Sequence, residues 1–140
     1  MRATEAPIPV DIERRLADAG RRLEARPDVS FAYLFGGLAT GRRTPLSDVD
    51  VAVFLVEGAD PVEARLEILG ELMRLLGTER IDLVVLNAAP LSLRGRILAA
   101  RKILADNREA LAEKMSALMT LDYLKERAGR GSHAKFARRP

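Results

Sequence analysis

Phe35-Gly36-Gly37-Leu38-Ala39-Thr40-Gly41-Arg42-Arg43-Thr44-Pro45-Leu46-Ser47-Asp48-Val49-Asp50-Val51-Ala52-Val53 is the stretch on which the reading of this chain turns. Its first residue closes a short aromatic and apolar run, residues 30–35, which predicts a strand. Gly36-Gly37 breaks that strand, and residues 38–41 leave room for a turn or two of helix at most. Residues 42–47, with Pro45 among them, read as a loop. From residue 48 to 56 the pattern alternates. Val51, Val53 and Leu55 fall on one face, and Asp48, Asp50, Ala52 and Phe54 on the other. That period predicts a strand that begins polar and ends buried.

Working outward, residues 11–25 carry Ile12, Leu16, Ala19 and Leu23 at helical spacing, and Arg26-Pro27-Asp28 ends that helix. Residues 1–9 hold two prolines and read as a loose leader. Downstream, Asp60-Pro61 supplies a cap followed by proline at the first helical position. Val62, Leu66, Leu69, Met73 and Leu76 then recur at steps of four and three, a predicted inner face, and Gly77 closes the helix. Residues 80–86 predict a third strand, with Asp82 opposite to Ile81, Leu83 and Val85. Residues 91–99 read as helix and residues 102–104 as a short fourth strand. Asp106 is placed to cap a last helix reaching about Arg127, with Leu111, Met115 and Leu118 turned inward. The predicted class is α/β, one small mixed sheet flanked by helices, in an order of strands that periodicity does not fix. The domain spans residues 10–128, and residues 129–140 form a basic, flexible tail.

A chain of 140 residues with 48% apolar and 31% charged residues fits one soluble globular domain. Cysteine is absent and His133 is the single histidine, so thiolate and multi-histidine metal sites are excluded. Any metal must be held by carboxylates and water, which suits hard cations such as magnesium. No apolar run approaches the ~18 residues that span a bilayer. Asp11, Glu13 and Arg14 interrupt any signal-peptide pattern, and a cytoplasmic location is expected. The net charge of +3 is uneven: Arg127, Arg130, Lys135, Arg138 and Arg139 gather at the end, and the body is slightly acidic. The high isoelectric point therefore describes the tail. Phe136 is the tail's one aromatic residue, which gives no stacking platform for a nucleic acid.

Three carboxylates carry the candidate chemistry. Asp48 and Asp50 stand two apart at a strand entry, so both project to one side, within reach of shared cations. Asp82 sits inside the apolar run Ile81-Asp82-Leu83-Val84-Val85, where an acid without a partner is costly. Taken alone, a Ser-Asp-x-Asp stretch is more often a strand entry with solvated acids. Asp82 alone reads as a strand-end acid near a surface arginine such as Arg80, and most Gly-Gly pairs are plain turns. Together they are the parts that phosphoryl transfer needs. Glycines admit phosphate oxygens to the backbone, two acids hold cations that neutralise a leaving pyrophosphate, and a third acid assists deprotonation of the attacking hydroxyl.

The Phe35–Val53 stretch with the later Arg80-Ile81-Asp82-Leu83-Val84-Val85 resembles the signature of the DNA polymerase beta superfamily of nucleotidyltransferases, closest to its minimal nucleotidyltransferase (MNT) branch. The family pattern is Gly-Ser, a spacer of roughly ten residues, Ser-Asp-x-Asp, and a later strand acid; the likeness covers about residues 31–86. Two positions depart from it: Gly37 replaces the usual serine, and Thr40 stands where relatives often carry arginine. The resemblance implies a nucleotidyltransferase (polymerase-beta-like) fold and a magnesium-dependent antitoxin that transfers AMP from ATP to a tyrosine of a HEPN-type ribonuclease toxin. Asp48, Asp50 and Asp82 would form the metal and catalytic set, with Asp82 as base. Gly36, Gly37, Ser47 and Arg42 would form the nucleotide-binding set, Ser47 chiefly by shaping the turn before Asp48. The last helix and the basic tail are candidate docking elements. Two other functions fit the same residues: neutralisation of a toxin by contact alone, and nucleotide transfer to a small-molecule hydroxyl.

Overall fold

The computed structural model describes residues 7–42, 44, 47–106 and 119–127. Its elements are α1 (Ile12–Glu24), β1 (Val29–Phe35), α2 (Gly36–Thr40), β2 (Val49–Leu55), α3 (Pro61–Leu76), β3 (Ile81–Val85), α4 (Leu91–Ala99) and β4 (Lys102–Asp106). A single 3-10 turn, Leu86–Ala88, links β3 to α4, and residues 119–127 are helical.

The four strands form one sheet in the order β3-β2-β1-β4. β1 pairs antiparallel with β2 and β4, whereas β2 and β3 run parallel, joined by the α3 crossover. The sheet is therefore mixed, as the sequence predicts. Because β2 and β3 are parallel, their first residues share one end of the sheet. The antiparallel β1 brings its last residue, Phe35, to the same end.

One face of the sheet is covered by α1 and α3. Ile12, Leu16, Ala19 and Leu23 pack there with Val49, Val51, Val53 and Leu55, each 7% exposed or less. Ile8, inside the stretch read as leader, belongs to the same core at 7% exposure. The α3 helix begins as its sequence predicts: the Asp60 carboxylate accepts from the Val62 and Glu63 amides at 3.0 and 3.2 Å. Its buried stripe differs from the expected one. Ala64, Ile68, Leu72 and Leu76 face the core, while Val62 and Leu66 are 70% and 63% exposed. The helix is apolar on most of its circumference, so spacing alone does not choose the side. Arg65 Nε reaches the Leu83 carbonyl on edge strand β3 at 3.3 Å, which fixes that rotation.

The opposite face is covered by α4 and the helical residues 119–127. Phe31, Tyr33, Ala52, Leu86, Ile97, Leu98 and Met119 form this second core. Gly95 makes the packing possible: a β-carbon there would run into the Tyr123 ring, so glycine lets the two helices touch closely. Asp106 pairs with Phe31 and extends β4 past its predicted end, while Leu111, Met115 and Leu118 lie outside the described residues. Among the described residues, no helix is long and apolar enough to cross a membrane.

Candidate active site

The strand register decides which of the predicted residues meet. Asp50 is the second residue of β2 and Asp82 the second residue of β3; in the parallel pair they are direct partners. Side chains directly abreast in neighbouring strands share a face. On the other side of Asp50, the antiparallel pair sets Phe35. A row Asp82–Asp50–Phe35 thus crosses the sheet on the face carrying Ala52 and Tyr33, with Phe35 packed against the second core. Asp82 is on the same face as Asp50, as its position opposite to Ile81, Leu83 and Val85 predicts.

Asp50 is half-buried, and its carboxyl is pushed up to about 6 by desolvation first, then by the charges of Asp82 and Asp48. Like charges gathered on a partly desolvated acid make a place that favours added positive charge. Gly36 is shaped to this carboxylate. It has φ +70° at the start of α2, and a β-carbon there would overlap Asp50 Oδ2. The sequence suggests phosphate contact as the use of this glycine; the structure gives it the further task of making room for Asp50.

Asp48 lies just before β2 with its side chain 57% exposed, and its Oδ1 sits 3.3 Å from Arg80 Nη2. Arg80 is thus a neighbour of Asp48, and its own side chain is only 17% exposed, not the surface arginine that the sequence suggests. Among the described residues, no group of three acids or histidines is close enough to form a ready-made metal cluster. The donor set is nevertheless all oxygen, and Asp50 and Asp82 stand in register on adjacent strands. These residues fit a hard divalent cation.

The remaining predicted residues flank the row. Ser47 Oγ accepts from the Thr44 amide at 2.8 Å while the Ser47 amide donates to the Thr44 carbonyl at 3.0 Å, a reciprocal clasp that sets the turn before Asp48. Arg42 is exposed and its amide donates to the Gly37 carbonyl at 2.9 Å. Thr40 Oγ1 turns back onto the Gly36 and Gly37 carbonyls at 3.2 and 3.4 Å. Arg43, Pro45 and Leu46 lie outside the described residues. Sequence reasoning missed the local weight of Phe35 and Arg80. Phe35 was legible only through the register, and Arg80 through its place one residue before a parallel strand. A cavity of about 270 Å³ between α1 and β4, lined by Leu16, Leu34, Leu38 and Lys102 among others, contains none of the three acids. The acids lie instead at one end of the sheet, where Asp48 and Asp82 are exposed and Asp50 is half-buried.

Comparison with known proteins bears on the family and the fold. The model of the family described as polymerase beta, nucleotidyltransferase matches residues 20–110. Comparison with curated proteins finds no match. Among solved structures, a toxin-antitoxin complex with AMP-PNP contains a chain 23% identical, with a TM-score of 0.63 over 89% of this chain and 95% of that one. The complex of tri-AMPylated Shewanella oneidensis HEPN toxin with MNT antitoxin gives 22% identity and a TM-score of 0.59 over 89% and 92%. The toxin-antitoxin MntA-HepT gives 21% and 0.59 over 89% and 96%. At these identities the likeness is one of fold.

Proposed function

Because the chain belongs to the polymerase-beta nucleotidyltransferase family, we propose that it transfers AMP from ATP to a tyrosine hydroxyl of a HEPN-type ribonuclease toxin, in the cytoplasm, as that toxin's antitoxin. The observation that carries the reading is the register of Asp50 with Asp82 at the end of the sheet where β1 runs into Gly36. Chains of this fold occur in complexes with AMP-PNP and with an AMPylated HEPN toxin.

In this reading Asp48 and Asp50, with Asp82, would hold magnesium, which would offset charge on the triphosphate and on the departing pyrophosphate. The attacking tyrosine oxygen forms the new bond to the α-phosphorus, and the bond to pyrophosphate breaks. Asp82, the more exposed of the in-register pair, takes the hydroxyl proton. Gly36 and Gly37 present backbone to the triphosphate, Ser47 holds the turn that aims Asp48, and Arg42 adds positive charge from the loop. Asp48 and Asp82 are exposed, so the acceptor protein itself completes and closes the cleft.

The test is incubation of the full chain with ATP, magnesium and a HEPN toxin, followed by mass measurement of the toxin. A gain of one or more AMP groups, lost in Asp50→Asn, is expected. Tight complex formation with no mass gain would overturn the transferase assignment in favour of neutralisation by contact.

A further inference from the structure

We propose that Arg80 is a triphosphate-binding residue that Asp48 occupies until nucleotide and cation arrive. The inference rests on the nucleotidyltransferase reading and deepens it. Its first ground is the asymmetry of the Arg80–Asp48 pair. At 3.3 Å the two are an ion pair, yet the arginine side chain is 17% exposed and the aspartate 57%. The guanidinium is therefore the anchored member and the carboxylate the one with room to turn away.

The second ground is how firmly the base of Arg80 is held. Its amide donates to Thr78 Oγ1 at 3.0 Å, and its carbonyl accepts from the Val49 amide at 2.8 Å. The second of those bonds ties it to the first residue of β2, between Asp48 and Asp50. The guanidinium that meets Asp48 from there lies beside the carboxylate row.

The third ground is the shortage of side-chain donors on α2. The α2 helix, Gly36–Thr40, carries no basic side chain, and its single hydroxyl, on Thr40, is spent on the helix's own carbonyls. A triphosphate beside three acids needs fixed positive charge as well as a cation. Arg80 supplies it in a forked, planar form suited to phosphate oxygens. Asp48 and a phosphate oxygen are then alternative partners of one guanidinium. Drawing Asp48 toward a cation and seating the nucleotide on Arg80 become linked events.

The experiment is calorimetric titration of the full chain, without toxin. ATP is titrated in EDTA, and manganese is titrated without nucleotide. In EDTA, Arg80→Gln is expected to bind ATP about tenfold more weakly, the loss of one charge-assisted bond. Asp48→Asn is expected to bind ATP more tightly than wild type, because the competing carboxylate is gone. Asp82→Asn removes an equal charge one strand away, so it measures the general electrostatic gain, which should be clearly smaller. For manganese alone, Arg80→Gln is expected to bind more tightly than wild type, since Asp48 no longer has to leave a guanidinium. A merely structural role would weaken both ligands together. That result, or unchanged ATP affinity in Arg80→Gln, overturns the proposal. Should Arg80→Gln fail to fold, the Asp48→Asn and Asp82→Asn pair decides, and equal gains overturn it. A wild-type chain that binds neither ATP nor manganese sinks the nucleotidyltransferase reading and Arg80 with it. Wild-type binding with the variant pattern absent sinks Arg80 alone.

Discussion

On the face of the sheet turned to α1 and α3, β2 presents Val49, Val51, Val53 and Leu55, none more than 2% exposed. On the other face the same strand presents Asp50, Ala52 and Phe54, and only the last two are covered by the second core. A step of one residue separates a dry, closed layer from a half-buried acid crowded by two others. The environments of two aspartates sharpen the contrast. Asp11, bonded by Arg15 and Arg14, has its carboxyl lowered to about 2, whereas desolvation and the Asp82 and Asp48 charges push Asp50 up to about 6. The first acid is placed for the comfort of the fold. The second is tolerated, because the layer behind it is strong enough to carry an unfavourable site in front.

The sharpest break of this contrast is Asp50→Asn. It should abolish AMP transfer while the chain keeps its circular dichroism spectrum and cooperative melt, since no buried apolar contact is touched. Transfer at the wild-type rate would remove Asp50 from the chemistry. The converse break is Leu72→Ala, on the closed face, where the side chain is wholly buried. It should cost about 2–5 kcal/mol of unfolding free energy by denaturant titration, with nucleotide affinity of the remaining folded fraction unchanged. Leu66→Ala, on the same helix but 63% exposed, is the matched control and should stay within about 0.5 kcal/mol of wild type. Equal losses at the two positions would mean that the α3 stripe is wrongly placed.

That stripe also marks the limit of what the sequence told. Elements with a single apolar side were legible: Ile12, Leu16, Ala19 and Leu23 chose the inner face of α1, and the alternation after Asp48 chose the faces of β2. So were the candidate acids, because Asp50 and Asp82 break otherwise apolar strands and an acid there demands a reason. In α3 apolar residues fall all round, and the choice among them is made by a tertiary bond, Arg65 to Leu83. Register was equally hidden. Nothing local says that Asp82 stands beside Asp50 and Phe35, since pairing between strands is set by the whole sheet. The meeting of Arg80 with Asp48 was hidden for the same reason: the two are far apart in sequence and near only through the parallel pairing.

A smaller effect should follow at the seam between the two regions. Gly36→Ala places a β-carbon on Asp50 Oδ2 in a backbone conformation that disfavours side chains. It should cost about 1–3 kcal/mol in stability, with cation affinity falling as the Asp50 carboxylate is displaced. Loss of stability with unaltered manganese affinity would separate Gly36 from the site and leave it an ordinary turn residue.

The smallest effect is one of pH, and its sign follows from the Asp50 carboxyl. Without divalent cation, the folded carboxyl holds its proton up to about 6, against an ordinary value of 3.8. Below the ordinary value both folded and unfolded chains carry the proton, and the site costs nothing. As pH climbs from there through about 6, the unfolded chain gives up its proton more readily, so folding is progressively penalised. Asp50→Asn removes that penalty. Its melting temperature should therefore exceed that of wild type above pH ~6 in EDTA, and the gap should close toward pH ~4. Magnesium should narrow the gap at neutral pH, because it stabilises only the chain that retains the acid. A constant difference between the two proteins across this range would show that like charge and desolvation do not act on Asp50 as the strand register demands.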